Sequence, residues 1–127
     1  MGARAAVGIS EPAPSRPAAI GRLRSKADFS RVFERPDRVL HGRFFRVLMR
    51  DTGQGALRLG TAIARKHTRT AVRRNLAKRL VRETLRQEAA HLPPVDVVVL
   101  SRPGVRGAER RELRDDLIAL WRRLRVR

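Results

Sequence analysis

The chain has 127 residues, with 30 Lys and Arg against 12 Asp and Glu, a formal charge of +18 and a pI near 12.0. That length allows one domain around one core, and that charge puts nucleic acid first among partners. The absence of cysteine rules out a disulfide framework and a thiolate metal site, and four Phe and one Trp are too few for the aromatic face of a membrane-surface helix.

Residues 1–21 are rich in Ala, Pro, Gly and Ser without a lasting period, and Glu11 and the prolines break any apolar core of signal-peptide length. A disordered N-terminal tail is expected there, followed by one domain over 22–127. No run approaches the length of a membrane span, so the expected setting is soluble and cytoplasmic, without a membrane partner.

Order begins near Ser25, where Ser25 and Asp28 form a capping-box pattern and Phe29, Val32 and Phe33 share one helical face. Pro36 ends this short helix. Arg43 to Arg50 alternates as a strand with Phe45, Val47 and Met49 on one side, so Phe44 and Phe45 occupy opposite faces and one of them meets the core. A turn at Asp51–Gly55 leads to a second strand, Ala56 to Ala64, with Leu57, Leu59, Thr61 and Ile63 facing one way.

A helix is expected from Ala71 to Ala90, with Thr70 as its N-cap and Pro93-Pro94 beyond its end. From Arg65 to Arg86, nine Lys and Arg stand against one acid, Glu83. At about 100° per residue, Asn75, Lys78, Arg79, Arg82 and Arg86 fall in one arc, with Val72, Leu76, Leu80 and Thr84 towards the other side. Opposite charges normally intersperse a solvated face. Their near absence marks Arg65, Lys66, Arg73, Arg74, Lys78, Arg79 and Arg82 as polyanion contacts. Asn75 adds a directional group that caps locally or positions a metal-bound water.

Val95 to Leu100 reads as a buried strand. Leu113, Leu117, Leu120, Trp121 and Leu124 trace a final amphipathic helix. The fold expected is α+β, a two-layer sandwich of helices on a small mixed sheet in the order α-β-β-β-α-β-α. The basic helix lies in the crossover before the last strand. Arg outnumbers Lys by 27 to 3, and its planar fork suits bidentate phosphate contact. His41, His67 and His91 make no ligand spacing, and Asp115-Asp116 on the final helix reads as a solvated face. No Ser–His–Asp or Cys–His arrangement, HExxH or phosphate-cradling Gly loop is visible.

The block LRLGTAIARKHTRTAVRRNLAKRLVRE, Leu57 to Glu83, resembles the protein component of bacterial ribonuclease P. Gly60 matches the family's strand-ending Gly, Arg65-Lys66 its basic pair, and Arg74-Asn75 the start of its Arg-Asn-Arg triplet. Lys78-Arg79 and Arg82 match the later basic positions. Leu76 stands where the triplet usually has its second Arg. ADFSRVF (Ala27–Phe33), VVVLSRPG (Val97–Gly104) and the Trp121 segment resemble the family's first helix, last strand and closing helix.

The resemblance implies a subunit of an endoribonuclease whose catalytic groups lie in an RNA partner. With Mg²⁺, mainly bound by that RNA, the two remove the 5′ leader of precursor tRNA. It also implies a leader-binding cleft between the first helix and the sheet, assigned to Phe29, Phe33 and Phe45. Phe29 and Phe33 could equally be a core pair. The rival reading is a ribosomal or other structural RNA-binding protein, which needs no such cleft. A DNA-binding regulator would want a short helix and tight turn before the basic helix, where a strand is expected instead.

Overall fold

The computed structural model describes residues 20–53 and 55–125; residues 1–19, most of the expected tail, lie outside them. In chain order the elements are β1 (Gly21–Arg22), α1 (Lys26–Glu34), β2 (Arg38–His41), β3 (Phe45–Arg50) and β4 (Arg58–Ala62). Then follow α2 (Arg65–Thr68), α3 (Ala71–Glu88), β5 (Asp96–Ser101) and α4 (Arg110–Leu124), with 3₁₀ turns at Ala89–His91 and Pro103–Gly107.

The α+β class and the element order stand, with two additions. Gly21, assigned to the tail, belongs to β1: its N–H donates to the Leu57 carbonyl at 2.9 Å. The one-turn α2 also intervenes between β4 and the basic helix. It is seated by Ser101, whose Oγ accepts from the Ala64 amide at 2.9 Å and lies 2.8 Å from Nδ1 of His67. Those contacts come from the neighbouring strand β5, 34 and 37 residues away in the chain, so local sequence does not announce them. A single turn is too short to serve as the first helix of a helix-turn-helix.

The sheet order is β1-β4-β5-β3-β2. β1, β4 and β5 run parallel; β3 is antiparallel to both β5 and β2. β5 is central and almost wholly buried, which explains its unbroken apolar run. On one face, Phe45, Val47, Val97 and Val99 pack against Leu80, Val81 and Leu85 of α3 and Leu113, Leu117, Leu120 and Trp121 of α4. On the other, Leu48 and Val98 pack with Leu23 and with Val32 of α1.

Phe44 and Phe45 are both buried in the larger cluster, not divided between two faces. Alternation begins only at Phe45. Phe44 lies just before the strand, beneath the 103–107 turn, where a Cβ added at Gly104 would stand 3.3 Å from its ring. Asp116, expected on a solvated face, instead accepts from the amides of Arg43, Phe44 and Phe45 at 2.9, 2.9 and 3.1 Å. Its carboxylate clasps α4 to the start of β3.

Between α3 and α4, the buried Thr84 hydroxyl donates to the Leu80 carbonyl at 2.7 Å and accepts from Nε1 of Trp121 at 2.8 Å. Thr84→Val should destabilise the fold by about 1–3 kcal/mol, because the indole N–H is left buried and unpaired, whereas Thr84→Ser should recover most of that loss. Denaturant unfolding of both variants checks this; equal stability of Val and wild type would refute it.

Candidate nucleic-acid interface

Thr70 caps α3 by accepting from the Arg73 amide at 3.1 Å. The buried stripe of the helix is Ala77, Leu80, Val81, Thr84 and Leu85. On a 3.6-residue helix that stripe is centred about 150° from Val72, and Val72 is indeed 80% exposed, not on the apolar side. Leu76 sits at the margin, partly buried against the core. A row of strict four-residue steps drifts by about 40° per step, which is why the expected apolar line 72–76–80–84 runs out of the core at its N-terminal end.

The same drift lays out a cationic ladder. Arg74, Lys78, Arg82 and Arg86 are four residues apart, about 6 Å per step along the axis. The first two are half-buried and the last two exposed. Among the described residues, no ion pair or side-chain hydrogen bond engages these four. Asn75 stands exposed beside the ladder, and Arg79 is held by Glu83 at 3.8 Å. Arg65 and Lys66 are exposed on α2. Arg73 departs from the expected face: it donates to the Val105 carbonyl at 3.0 Å, because its position falls on the core side of the helix.

The sheet face under α1 forms three cross-strand rows, since residues in register share a face. Arg58, Asp96 and Arg50 make the first; Gly60, Val98, Leu48 and Val39 the second; Ala62, Leu100, Arg46 and His41 the third. α1 lies over the first two. Arg50 donates to the Arg31 carbonyl at 2.8 Å. A Cβ at Gly60 would stand 2.7 Å from the Phe29 ring, so only Gly lets that ring lie on β4. The third row is left open beside α1, its floor half-buried or exposed.

Phe29 is half-buried and Phe33 42% exposed. Neither is a fully buried core residue; the Phe29 ring lies against Gly60 and packs on the smaller core cluster. Phe45 is fully buried on the opposite sheet face, so it does not line this trough; strand alternation puts Leu48 and Arg46 there instead. A groove of about 370 Å³ is lined by Phe29, Leu23, Gly60 and Thr61 together with Arg82 and Arg86. The C-terminal end of the ladder therefore shares a groove with the Phe29 ring at the β1–β4 edge of the sheet.

Sequence reasoning missed Arg46, Arg58 and Asp96. Alternation from Phe45 would have found Arg46; the other two needed the strand pairing. Asp96 is fully buried and takes Nε and NH2 of Arg58 at 2.8 and 2.7 Å and the Thr52 hydroxyl at 3.2 Å. That hydrogen bond, with the two carboxylates nearby, holds the Arg58 proton more firmly than usual despite desolvation. Arg58 also reaches Asp28 at 3.9 Å, and Asp28 closes the capping box of α1 with Ser25. Desolvation works to raise the Asp28 carboxyl, but the Ser25 and Arg24 amides, the Ser25 hydroxyl and the Arg58 charge together hold it below its ordinary value.

Among the described residues, no group of three or more His, Asp or Glu side chains could hold a metal ion. None of their helices is long and apolar enough to cross a membrane.

Fold and surface together define a small, strongly basic α+β protein organised around one cationic helix whose end shares a groove with an aromatic ring. The chain belongs to the ribonuclease P protein family: the model for that family, ribonuclease P, matches residues 19–125. It is 45% identical over 103 residues to the ribonuclease P protein component of Thioalkalivibrio sulfidiphilus, covering 81% of this chain and 85% of that one. For the Pseudomonas aeruginosa component the identity is 38% over 103 residues, covering 81% and 76%. The solved RNase P protein from Thermotoga maritima is 34% identical with a TM-score of 0.69, over 80% of this chain and 96% of that one. A Staphylococcus aureus RNase P protein shares the fold, with a TM-score of 0.73 at 24% identity, over 80% and 92%. Membership places the chain with a bacterial endoribonuclease complex and implies a part in tRNA processing.

A carboxylate held below its ordinary value stabilises the fold at neutral pH, and that contribution fades as pH falls through the depressed value. Asp28→Asn should therefore lower Tm near neutrality and flatten its fall below about pH 4. A series of melting curves from pH 7 to pH 2 checks this; an acid limb as steep as in the wild type would assign it to other carboxylates.

Proposed function

We propose that the chain is the protein subunit of ribonuclease P and acts as a grip for RNA, in the cytoplasm. The α3 ladder, with Asn75, Arg79, Arg65 and Lys66 beside it, takes the phosphates of the catalytic RNA. The trough takes the single-stranded 5′ leader of precursor tRNA. The observation that carries this reading is the meeting of the two surfaces: Arg82 and Arg86 share one groove with Phe29 and Gly60. A strand lying there has cations for its phosphates and rings on which bases stack, each stack worth about 1–3 kcal/mol.

The phosphodiester hydrolysis belongs to the RNA partner. Mg²⁺, when bound, would neutralise developing charge at the scissile phosphate, and the RNA would hold it. The described residues offer no cluster of three or more carboxylates or histidines for it. This chain's residues bind and orient: the ladder lowers repulsion between two RNAs, and the trough fixes the leader beside the bond to be cut. A structural RNA-binding protein would need the ladder but not the trough.

Reconstitution with the cognate catalytic RNA tests this. The protein alone should leave precursor tRNA intact, while its addition should stimulate cleavage by the RNA most at low Mg²⁺. Cleavage by RNA-free protein, or no stimulation, would overturn the reading.

Phe29→Ala and Phe33→Ala should weaken precursor tRNA binding more than mature tRNA binding, with Tm recorded alongside. An equal loss for both tRNAs would remove the rings from the leader site. If about six phosphates are neutralised, log K should fall against log[salt] with a slope of about −4 to −5; a flat titration would exclude the ladder as the RNA surface.

A further inference from the structure

The closing helix carries cations where a helix resists them. Arg110 and Arg111 open α4, at the positive end of its dipole, and Arg114 stands four and three residues on, where like charges repel. All three are exposed. At about 100° per residue, Arg111, Arg114, Ile118 and Arg122 form one row within an arc of about 80°. The buried stripe of Leu113, Leu117, Leu120, Trp121 and Leu124 lies on the other side of the helix. Along the axis the row is about 17 Å long.

The acids of α4 do not neutralise this row. Asp116 is taken up by the amides of Arg43, Phe44 and Phe45, and Glu112 by the Glu109 amide and by Arg43 at 3.5 Å. Asp115 borders the row, but among the described residues no ion pair joins it to a cation. Nor, among those residues, does an ion pair or side-chain hydrogen bond engage Arg110, Arg111 or Arg122. Arg114 meets the neutral Gln87 of α3 at 3.4 Å. Arg123 is different: its guanidinium donates to the His41 carbonyl at 3.0 Å.

The row is also separate from the cationic ladder. α4 flanks α3 through the Trp121–Thr84 and Arg114–Gln87 bonds, whereas Arg82 and Arg86 line the groove beside β1 and β4. No aromatic ring joins the row, because Trp121, the one ring of α4, is fully buried. Guanidinium forks without rings suit phosphates rather than unstacked bases. A base-paired stem offers such a surface: its bases are stacked away and its backbone is presented by shape.

We propose that Arg111, Arg114 and Arg122 form a second RNA-binding surface, which takes the phosphate backbone of a base-paired stem of the catalytic RNA. This rests on that RNA being the partner, as proposed above. The subunit then grips its RNA on two flanks, the α3 ladder and the α4 row, and the polyanion relieves the repulsion among the α4 cations.

Because the chain has no cysteine, Ala119→Cys, at an exposed position beside the row, gives a single attachment point for an iron–EDTA probe. In holoenzyme reconstituted with the cognate catalytic RNA, hydroxyl radicals from that probe should cut both strands of one stem. A second measurement combines Arg111→Gln, Arg114→Gln and Arg122→Gln. Affinity for the catalytic RNA should fall about tenfold or more, and the magnitude of its salt slope by about 2–3, three phosphates. The extra affinity that a leader gives precursor tRNA over mature tRNA should not change. Tm should hold or rise, since like-charge repulsion is relieved. Arg123→Gln removes a charge from the same helix but should lower Tm instead and keep the wild-type salt slope. Cuts absent from the catalytic RNA or confined to its single-stranded segments, or a salt slope unchanged in the triple variant, would overturn the proposal. Failure of the wild-type protein to bind the catalytic RNA at all would overturn the partner itself, a distinguishable failure.

Discussion

The bidentate bond between Arg58 and Asp96 is the constraint on which the rest of this surface depends. A fully buried carboxylate is tolerated only when its charge and lone pairs are met. Here a guanidinium from the neighbouring parallel strand and the Thr52 hydroxyl meet them. Removing one partner of such a pair typically costs about 3–5 kcal/mol, since the other charge stays buried. The bond pins β4 to β5 at the first row of the sheet, and the same NH2 reaches Asp28 of α1 at 3.9 Å. α1 is thereby held over two rows and no more. Gly60 leaves room for the Phe29 ring against the row that α1 does cover.

A formal charge of +18 on 127 residues should disfavour a compact chain through self-repulsion. Much of that charge is put to structural use. Arg38, Arg50, Arg73, Arg102 and Arg123 donate to backbone carbonyls at element ends and in turns. Each satisfies an acceptor that helix and strand ladders leave over, and does so at the rim of the core where water still screens the charge. A lysine could supply the charge but not the planar fork, so part of the excess of Arg over Lys is legible as mortar. Among the described residues, what remains without an internal partner on α3 is the ladder of Arg74, Lys78, Arg82 and Arg86. The division between internally bound and unengaged cations, rather than the total charge, singles out this face of α3.

Local pattern determined much of this protein. The Ser25–Asp28 box, the Thr70 cap, the strand of apolar residues at 97–99 and the Leu113–Trp121 stripe each depend on neighbours within a few residues, and each stands in the structure. Gly60, Arg65-Lys66 and the 74–82 cations likewise carried the family from sequence alone. Tertiary structure decided what depends on distant partners. The one-turn α2 exists because Ser101 and His67 meet across 34 residues of chain. Arg73 was removed from the cationic face by a carbonyl in the 103–107 turn, and Phe45 from the trough by the register of β3 against β5. The helical stripe shifted off Val72 because the core, not an idealised four-residue row, chooses which face to bury. Periodicity reports that a face exists; only packing and register say what it lies against.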